Sequence, residues 1–316
     1  MGGYLVTGGA GFIGSHIVEE LLRRDKNVRV LDNFSTGKWG NVEPFMDRIE
    51  LIEGDIRDLE VVQKAAERMD YIFHEAALPS VPRSVNDPKT TTEVNVNGTL
   101  NVLIAARDKR VKKIICASSS SVYGNSQVLP KNEDMLPNPL SPYAVSKMAG
   151  ENYCRVFSSI YDMNVVVLRY FNVFGPRQDP ASQYSAAIPK FITMILGGEC
   201  PVIYGDGMQS RDFTYVANVV HANLLCCDTD VSFGIFNVAC GRRITIMNLI
   251  DEINNAVETK VEPIFTKPRK GDVKHSQADI TLARKFLAYE PVMDFQEGLG
   301  LTLEYFGLES LSPTIA

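Results

Sequence analysis

The segment Gly8-Gly9-Ala10-Gly11-Phe12-Ile13-Gly14 constrains this chain more than any other stretch. It follows a short apolar run, Tyr4-Leu5-Val6, and opens a helical pattern over 12–24. Glycines at a strand-to-helix turn permit a tight bend and let backbone N–H groups approach an anion at the helix N-terminus. The rest of the first half repeats the same alternation. Apolar runs at 28–31, 49–52, 71–73, 114–117 and 165–168 read as strands, with helical patterns at 58–68, 90–109 and 142–160. Near-continuous apolar runs suit strands buried on both faces, as in a parallel sheet. The expected fold class is α/β, a doubly wound parallel sheet of the Rossmann kind.

After Asn172 the texture changes. The stretch 174–185 holds Gly175, Pro176 and Pro180 and reads as a loop. Residues 203–215 (IYGDGMQSRDFTY) read as loop with a short strand, and 233–239 as one more sheet strand. Residues 245–316 mix two or three helices with a loop around 267–276. The expected organisation is a dinucleotide-binding domain of 1–173 plus about 229–245, with a smaller interleaved substrate domain of about 174–228 plus 246–316. A chain of 316 residues accommodates this.

Composition excludes several classes. Hydrophobic residues make up 45% and charged residues 22%, a globular balance. Lys plus Arg is 32 against 38 Asp plus Glu, a net charge of −6, which disfavours general nucleic-acid binding. No apolar run approaches the roughly 18 residues needed to span a bilayer. The opening MGGYLVTGG carries no secretory pattern, and position 6 is Val where a myristoylation motif wants Ser or Thr. A cytoplasmic protein is expected. Cysteines at 116, 154, 200, 226, 227 and 240 form no CxxC pair, and histidines at 16, 74, 221 and 275 are scattered, so no metal site is expected. Most of the cysteines read as small buried apolar groups.

Chemistry-bearing residues accompany the glycine loop. Asp32 ends the second strand, 24 residues beyond Gly8, where a carboxylate can accept from the adenosine ribose hydroxyls. An acid there repels a 2′-phosphate, which favours NAD over NADP; Lys38 works in the opposite direction. Asp55 ends the third strand and can meet the adenine edge. Ser141-Pro142 reads as N-cap and first residue of a helix, placing Tyr143 and Lys147 at i and i+4 on one face. An ammonium nearby stabilises phenolate over phenol, so Tyr143 can serve as a base. The fifth strand runs into Ser118-Ser119-Ser120-Ser121, hydroxyls at the strand end where open α/β sheets bind ligands.

These residues resemble the extended short-chain dehydrogenase/reductase superfamily, from the glycine loop to about Asp279. The nearer likeness is to nucleotide-sugar 4-epimerases, especially bacterial and archaeal ones acting on UDP-N-acetylglucosamine or UDP-glucose. It is carried by TGGAGFIGSH (7–16), LDNFSTGK (31–38), RSVNDP (83–88), NPLSPYAVSK (138–147), RYFNVFGPRQDP (169–180), GDGMQSRDF (205–213) and GDVKHSQAD (271–279), in order.

The resemblance implies roles. Tyr143 and Lys147 match the family's YxxxK, and Ser119 and Ser120 its hydroxyl pair. The cofactor set it implies is Gly8, Gly11, Phe12, Ile13, Gly14, Asp32, Asn33, Ser35, Thr36, Gly37, Asp55, Ile56, Ala76, Ala77, Asn95, Ser118, Tyr143, Lys147, Tyr170 and Val173, holding NAD. The substrate set is Ser119, Ser120, Tyr143, Asn172, Ala187, Ile188, Phe191, Tyr204, Gln209, Arg211, Arg269, Asp272 and Ser276, with the arginines suited to a diphosphate. Related dehydratases and decarboxylases carry carboxylates near positions 119–120; this chain has serines. The implied reaction is C4 epimerisation of a UDP-hexose through a transient 4-keto sugar. Ser276, in place of a bulky tyrosine, leaves volume for an N-acetyl group. Asp179 would repel a sugar carboxylate if it faces the sugar, which ranks UDP-uronates lower. The resemblance also implies a homodimer through the helices around 90–109 and 142–160.

Overall fold

The computed structural model describes residues 2–180, 187–267 and 274–311. Its first half alternates β1 (Gly3–Thr7), α1 (Phe12–Arg23), β2 (Asn27–Asp32), β3 (Ile49–Glu53), α2 (Leu59–Ala65) and β4 (Met69–His74). Helices α3 (Val81–Asn86), α4 (Pro88–Thr92) and α5 (Thr99–Asp108) lead to β5 (Lys113–Ser119), α6 (Pro142–Tyr161) and β6 (Val165–Tyr170). Then come β7 (Val173–Phe174), α7 (Ala187–Leu196), β8 (Val202–Tyr204), β9 (Ser210–Arg211), β10 (Thr214–Tyr215), α8 (Val216–Asp228) and β11 (Phe233–Val238). The chain closes with β12 (Ile244–Thr245), α9 (Ile246–Ala256), β13 (Ile264–Thr266), α10 (Thr281–Leu287) and α11 (Phe295–Leu311).

Seven strands form one parallel sheet in the order β11-β6-β5-β4-β1-β2-β3. The chain winds outward from β1 to β3, then crosses back to β4 and outward to β11. Burial explains why the strand runs carry so few polar residues: every position of β6 is buried, and β-branched side chains suit a pleated surface covered on both faces. One core cluster, including Ile17 and Val18 of α1, continues into α7, α8, α9 and α11. The other, with Val62, Leu103 and Cys154, fills the face covered by α2, α5 and α6. Each fully buried Val or Leu contributes about 1.5–3 kcal/mol.

The strands and the helix at 142–160 fall where the sequence places them. The stretch 90–109 does not form a single helix: α4 gives way to a π-helical turn at Glu93–Gly98 before α5. Close packing of Gly98 on Ile56 accompanies that turn; a Cβ on Gly98 would lie 2.4 Å from Ile56 Cδ1. The loop expected at 174–185 begins within β7, which pairs with β10. The later region carries its own two-stranded pairs, β12 with β9 and β13 with β8, whereas β11 returns to the main sheet beside β6 and α8 packs against α1. Cys116, Cys154 and Cys226 are buried, Cys200 exposed. Among the described residues, no helix is long and apolar enough to cross a membrane.

Candidate functional site

The glycine loop takes its shape from close approaches that exclude side chains. Gly8 has φ +71°, in the left-handed region that favours glycine, and a Cβ there would come within 2.7 Å of the Ala76 nitrogen. A Cβ on Gly14 would lie 2.2 Å from the Gly8 carbonyl oxygen, so Gly14 is required by the packing of α1 on the loop. Helix α1 then starts with Gly11 as N-cap, which supplies no side-chain acceptor to the first-turn N–H groups. Those donors are left for an anion, aided by the helix dipole.

A cavity of about 1050 Å³ runs along the C-terminal ends of the strands. Gly8, Gly11, Phe12, Ile13, Asp32, Asn33, Ser35, Thr36, Gly37, Asp55, Ile56, Ala76, Ala77, Ser118, Tyr143, Lys147, Tyr170 and Val173 all line it. Asp32 is fixed by two backbone amides: Oδ2 accepts from Ala10 N at 2.9 Å and Oδ1 from Phe34 N at 2.8 Å. Burial raises its pKa, while those same hydrogen bonds oppose the rise. Asp55 receives two hydrogen bonds from the Arg57 side chain and one from Asn33, and the Arg57 bonds lead in pulling its pKa down to about 2. Asn95 does not line the cavity. It is buried, accepting from Leu78 N at 2.8 Å and donating to Ser146 Oγ at 3.0 Å, so it clamps the loop after β4 against α6. Gly14 likewise lies behind the wall.

Asp179 also lines the cavity. It pairs with Lys38 at 3.2 Å, beside the loop after β2 at the glycine-loop end of the cavity.

At the other end, Ser141 caps α6 through a 3.1 Å bond from Ala144 N, and Tyr143 and Lys147 project from its first turns. Ser119 and Ser120 line the cavity with them. Lys147 Nζ donates to the Ala117 carbonyl at 2.8 Å. Burial raises the Tyr143 pKa, a hydrogen bond to Ser119 draws it back, and the charge of Glu75 adds to the rise. Lys147 is pushed down by burial. Burial is thus the leading influence on both side chains, and Lys147 directs its proton to a carbonyl. Ser118 turns its hydroxyl behind the cavity, donating at 2.6 Å to Glu151 Oε1; Glu151 also holds Arg169 through two bonds of 2.8 and 2.7 Å.

Asn172, Arg211 and Ser276 also line the cavity. Asn172 donates to the Asp212 carbonyl at 3.1 Å, and Arg211 sits on the Ser210 and Lys274 carbonyls. Ile188 and Phe191 are buried in the core rather than on the wall, and Ala187 lies beside them at the start of α7. Gln209 donates to the Tyr204 carbonyl at 3.2 Å, and neither is on the described wall. Arg269 and Asp272 lie outside the described residues.

The cavity also exposes residues that sequence reasoning passed over: Glu75, Arg83, Lys131 and Gln178. Glu75 carries the clearest signal, an acid directly after a strand at the edge where α/β sheets bind ligands.

A groove with uncapped helix N-terminal donors, a carboxylate at the end of β2 and a glycine loop that admits no side chains fits a dinucleotide. The comparisons agree. Residues 4–239 match the model of the NAD dependent epimerase/dehydratase family. The "putative UDP-glucose 4-epimerase" of Methanocaldococcus jannaschii is 39% identical over 297 residues, 93% of this chain and 95% of that protein. The structure of UDP-N-acetylglucosamine 4-epimerase from Methanobrevibacter ruminantium M1, in complex with UDP-N-acetylmuramic acid, superposes with TM-score 0.94 at 42% identity, covering 98% of this chain and 99% of that one. UDP-glucuronic acid 4-epimerase from Bacillus cereus, in complex with UDP-glucuronic acid and NAD, gives TM-score 0.90 at 32% identity, covering 97% and 99%. With its Rossmann sheet, its glycine loop and the serine, tyrosine and lysine gathered at the strand ends, this chain belongs to the NAD dependent epimerase/dehydratase family.

Proposed function

We propose that the protein interconverts the C4 epimers of a UDP-hexose, UDP-GlcNAc with UDP-GalNAc or UDP-Glc with UDP-Gal, through a transient 4-keto sugar. The observation that carries this reading is the convergence of Tyr143, Lys147, Ser119 and Ser120 on one cavity, with serines rather than carboxylates at the end of β5. Glu75, the acid nearby, follows β4 and is held by Tyr170. Elimination or decarboxylation would call for an acid at the serine positions, where this chain has none.

NAD, when bound, would supply the hydride acceptor and donor that oxidation and reduction at C4 require. Gly8, Gly11 and the first turn of α1 bind its pyrophosphate, and Asp32 its adenosine ribose. Ser119 relays the proton of the sugar 4-hydroxyl to Tyr143, which gives it back when the sugar is reduced. Lys147 would hold the nicotinamide ribose. Arg211 and Asn172 receive the UDP. In this reading residues 1–173 plus about 229–245 serve the dinucleotide, and about 174–228 plus 246–316 the sugar nucleotide.

Ser276 supports an N-acetyl substituent, because it stands on the wall beside Arg211 with a small side chain. Replacing Ser276 with Tyr is expected to depress kcat/KM for UDP-GlcNAc by about 10–200-fold, the yield of pocket volume alone, with a smaller loss on UDP-glucose. Equal losses on both sugars would remove Ser276 from the pocket. UDP-glucuronate is the second reading, favoured by Arg83, an exposed guanidinium on the cavity wall.

The protein acts as a cytoplasmic homodimer in this reading. Val145, Tyr153, Val156 and Ile160 expose an apolar stripe along α6. Light scattering of the purified protein tests the dimer.

The deciding assay incubates the protein, without added NAD, with UDP-GlcNAc, UDP-glucose and UDP-glucuronate separately and resolves the epimers by NMR. An epimer of unchanged mass is expected from at least one of the first two. Net NADH formation or loss of carbon dioxide would overturn the reading.

A further inference from the structure

Glu75 stands directly after β4 and lines the cavity with Tyr143 and Lys147. In the sheet register, His74 is opposite Cys116 and Ser119 opposite Tyr170, so β5 separates Glu75 from Tyr170. Yet Glu75 Oε1 accepts a 2.7 Å hydrogen bond from the Tyr170 hydroxyl, which accepts in turn from Asn223 Nδ2 at 2.8 Å. The carboxyl therefore reaches across the end of β5, where Lys147 meets the Ala117 carbonyl. A charge held there acts through space on both members of the Tyr143–Lys147 pair.

We propose that Glu75 is a positioning residue for the reaction: anchored on Tyr170, its carboxylate opposes the Tyr143 phenolate and holds Lys147 as an ammonium, so the strength of the base depends on whether Glu75 carries a proton. The proposal rests on Tyr143 being the base. Burial pushes Glu75 up to about 7, against the pull of the Tyr170 hydrogen bond and the Lys147 charge, so both of its forms are populated near neutral pH. Below that pH Glu75 is neutral and the phenolate is unopposed; above it the carboxylate raises the Tyr143 pKa. The groups facing Glu75 are Tyr170 from β6 and Tyr143 and Lys147 from α6. Behind Lys147 stand Cys116, Cys154 and Glu151. His74, the last residue of β4, turns to Thr7 and Thr99 and is kept neutral, pushed down to about 3 by burial and by the Lys147 charge.

The test follows tyrosinate absorbance of the purified holoenzyme against pH. The Tyr143 step is identified by its loss in Tyr143→Phe. In Glu75→Gln that step is expected to move to lower pH by about 0.5–1 pH unit, the size of a nearby-charge effect, and the acid limb of the kcat profile to move with it. Tyr170→Phe removes the anchor and keeps the charge, so it is expected to leave the step in place or raise it. An unmoved step in Glu75→Gln overturns the proposal. Equal displacement in both variants also overturns it, since a merely structural bridge behaves that way. Near-normal turnover in Tyr143→Phe would sink the base assignment instead, leaving the absorbance result to stand by itself.

Discussion

Replacing Tyr143 with Phe is expected to lower kcat by roughly 10²–10⁴-fold, the usual contribution of a positioned acid–base group. The ring keeps its place: Tyr143 is 9% exposed, and the helix beneath it is set by Ser141 and Pro142 rather than by the hydroxyl. What disappears is the oxygen proposed to exchange a proton with Ser119 and the substrate. NAD is expected to co-purify with the variant in undiminished amount, because the glycine loop and Asp32 are built without Tyr143. Turnover and cofactor content, measured on the same preparation, check both halves. Retained turnover would assign the proton transfer to another group, and Glu75, the cavity acid beside Lys147, would be the next to replace.

The second large effect is expected on stability. Glu151 and Arg169 form a bidentate pair, 4% and 3% exposed, between α6 and β6, and Ser118 joins them from β5. Burial disfavours the Arg169 cation, but the Glu151 hydrogen bonds and charge outweigh it and hold its pKa up. Glu151→Leu strands that cation in the interior, which costs about 3–5 kcal/mol, whereas replacing a whole buried pair with apolar residues is often nearly neutral. Glu151→Leu is therefore expected to lower the urea midpoint strongly, and Glu151→Leu with Arg169→Met to recover most of the loss. If the double variant is no more stable than the single one, the cost lies in packing rather than in the unpaired charge. Because Ser118 leads directly to Ser119, the single variant should also lose activity in conditions where it remains folded.

Much of the site was legible because its parts are local. Three glycines and the strand before them define the loop whatever the rest of the chain does. Ser141-Pro142 places Tyr143 and Lys147 on one face of one helix. The apolar runs identify the strands, since a parallel strand covered on both sides has no polar face to hide. Other features depend on neighbours brought in from afar. Asn95 and the π-helical turn answer to Leu78, Ser146 and Ile56, and nothing in 90–109 announces them. Ile188 and Phe191 follow the helical apolar pattern of α7, which buries them.

The sequence by itself determined the doubly wound sheet, the dinucleotide loop and the pairing of Tyr143 with Lys147 on one helix face, because each rests on spacing within a few residues or on runs of one polarity. Only the tertiary structure decided what the polar side chains around the cavity touch. It sends Asp179 to Lys38, turns the Ser118 hydroxyl to Glu151 and sets Lys147 against the Ala117 carbonyl. It also joins Glu75 to Tyr170 across an intervening strand. The physical reason is that charge and hydrogen-bond interactions fall off over a few ångströms, and residues 95 apart in the chain meet at that distance only after the sheet has formed.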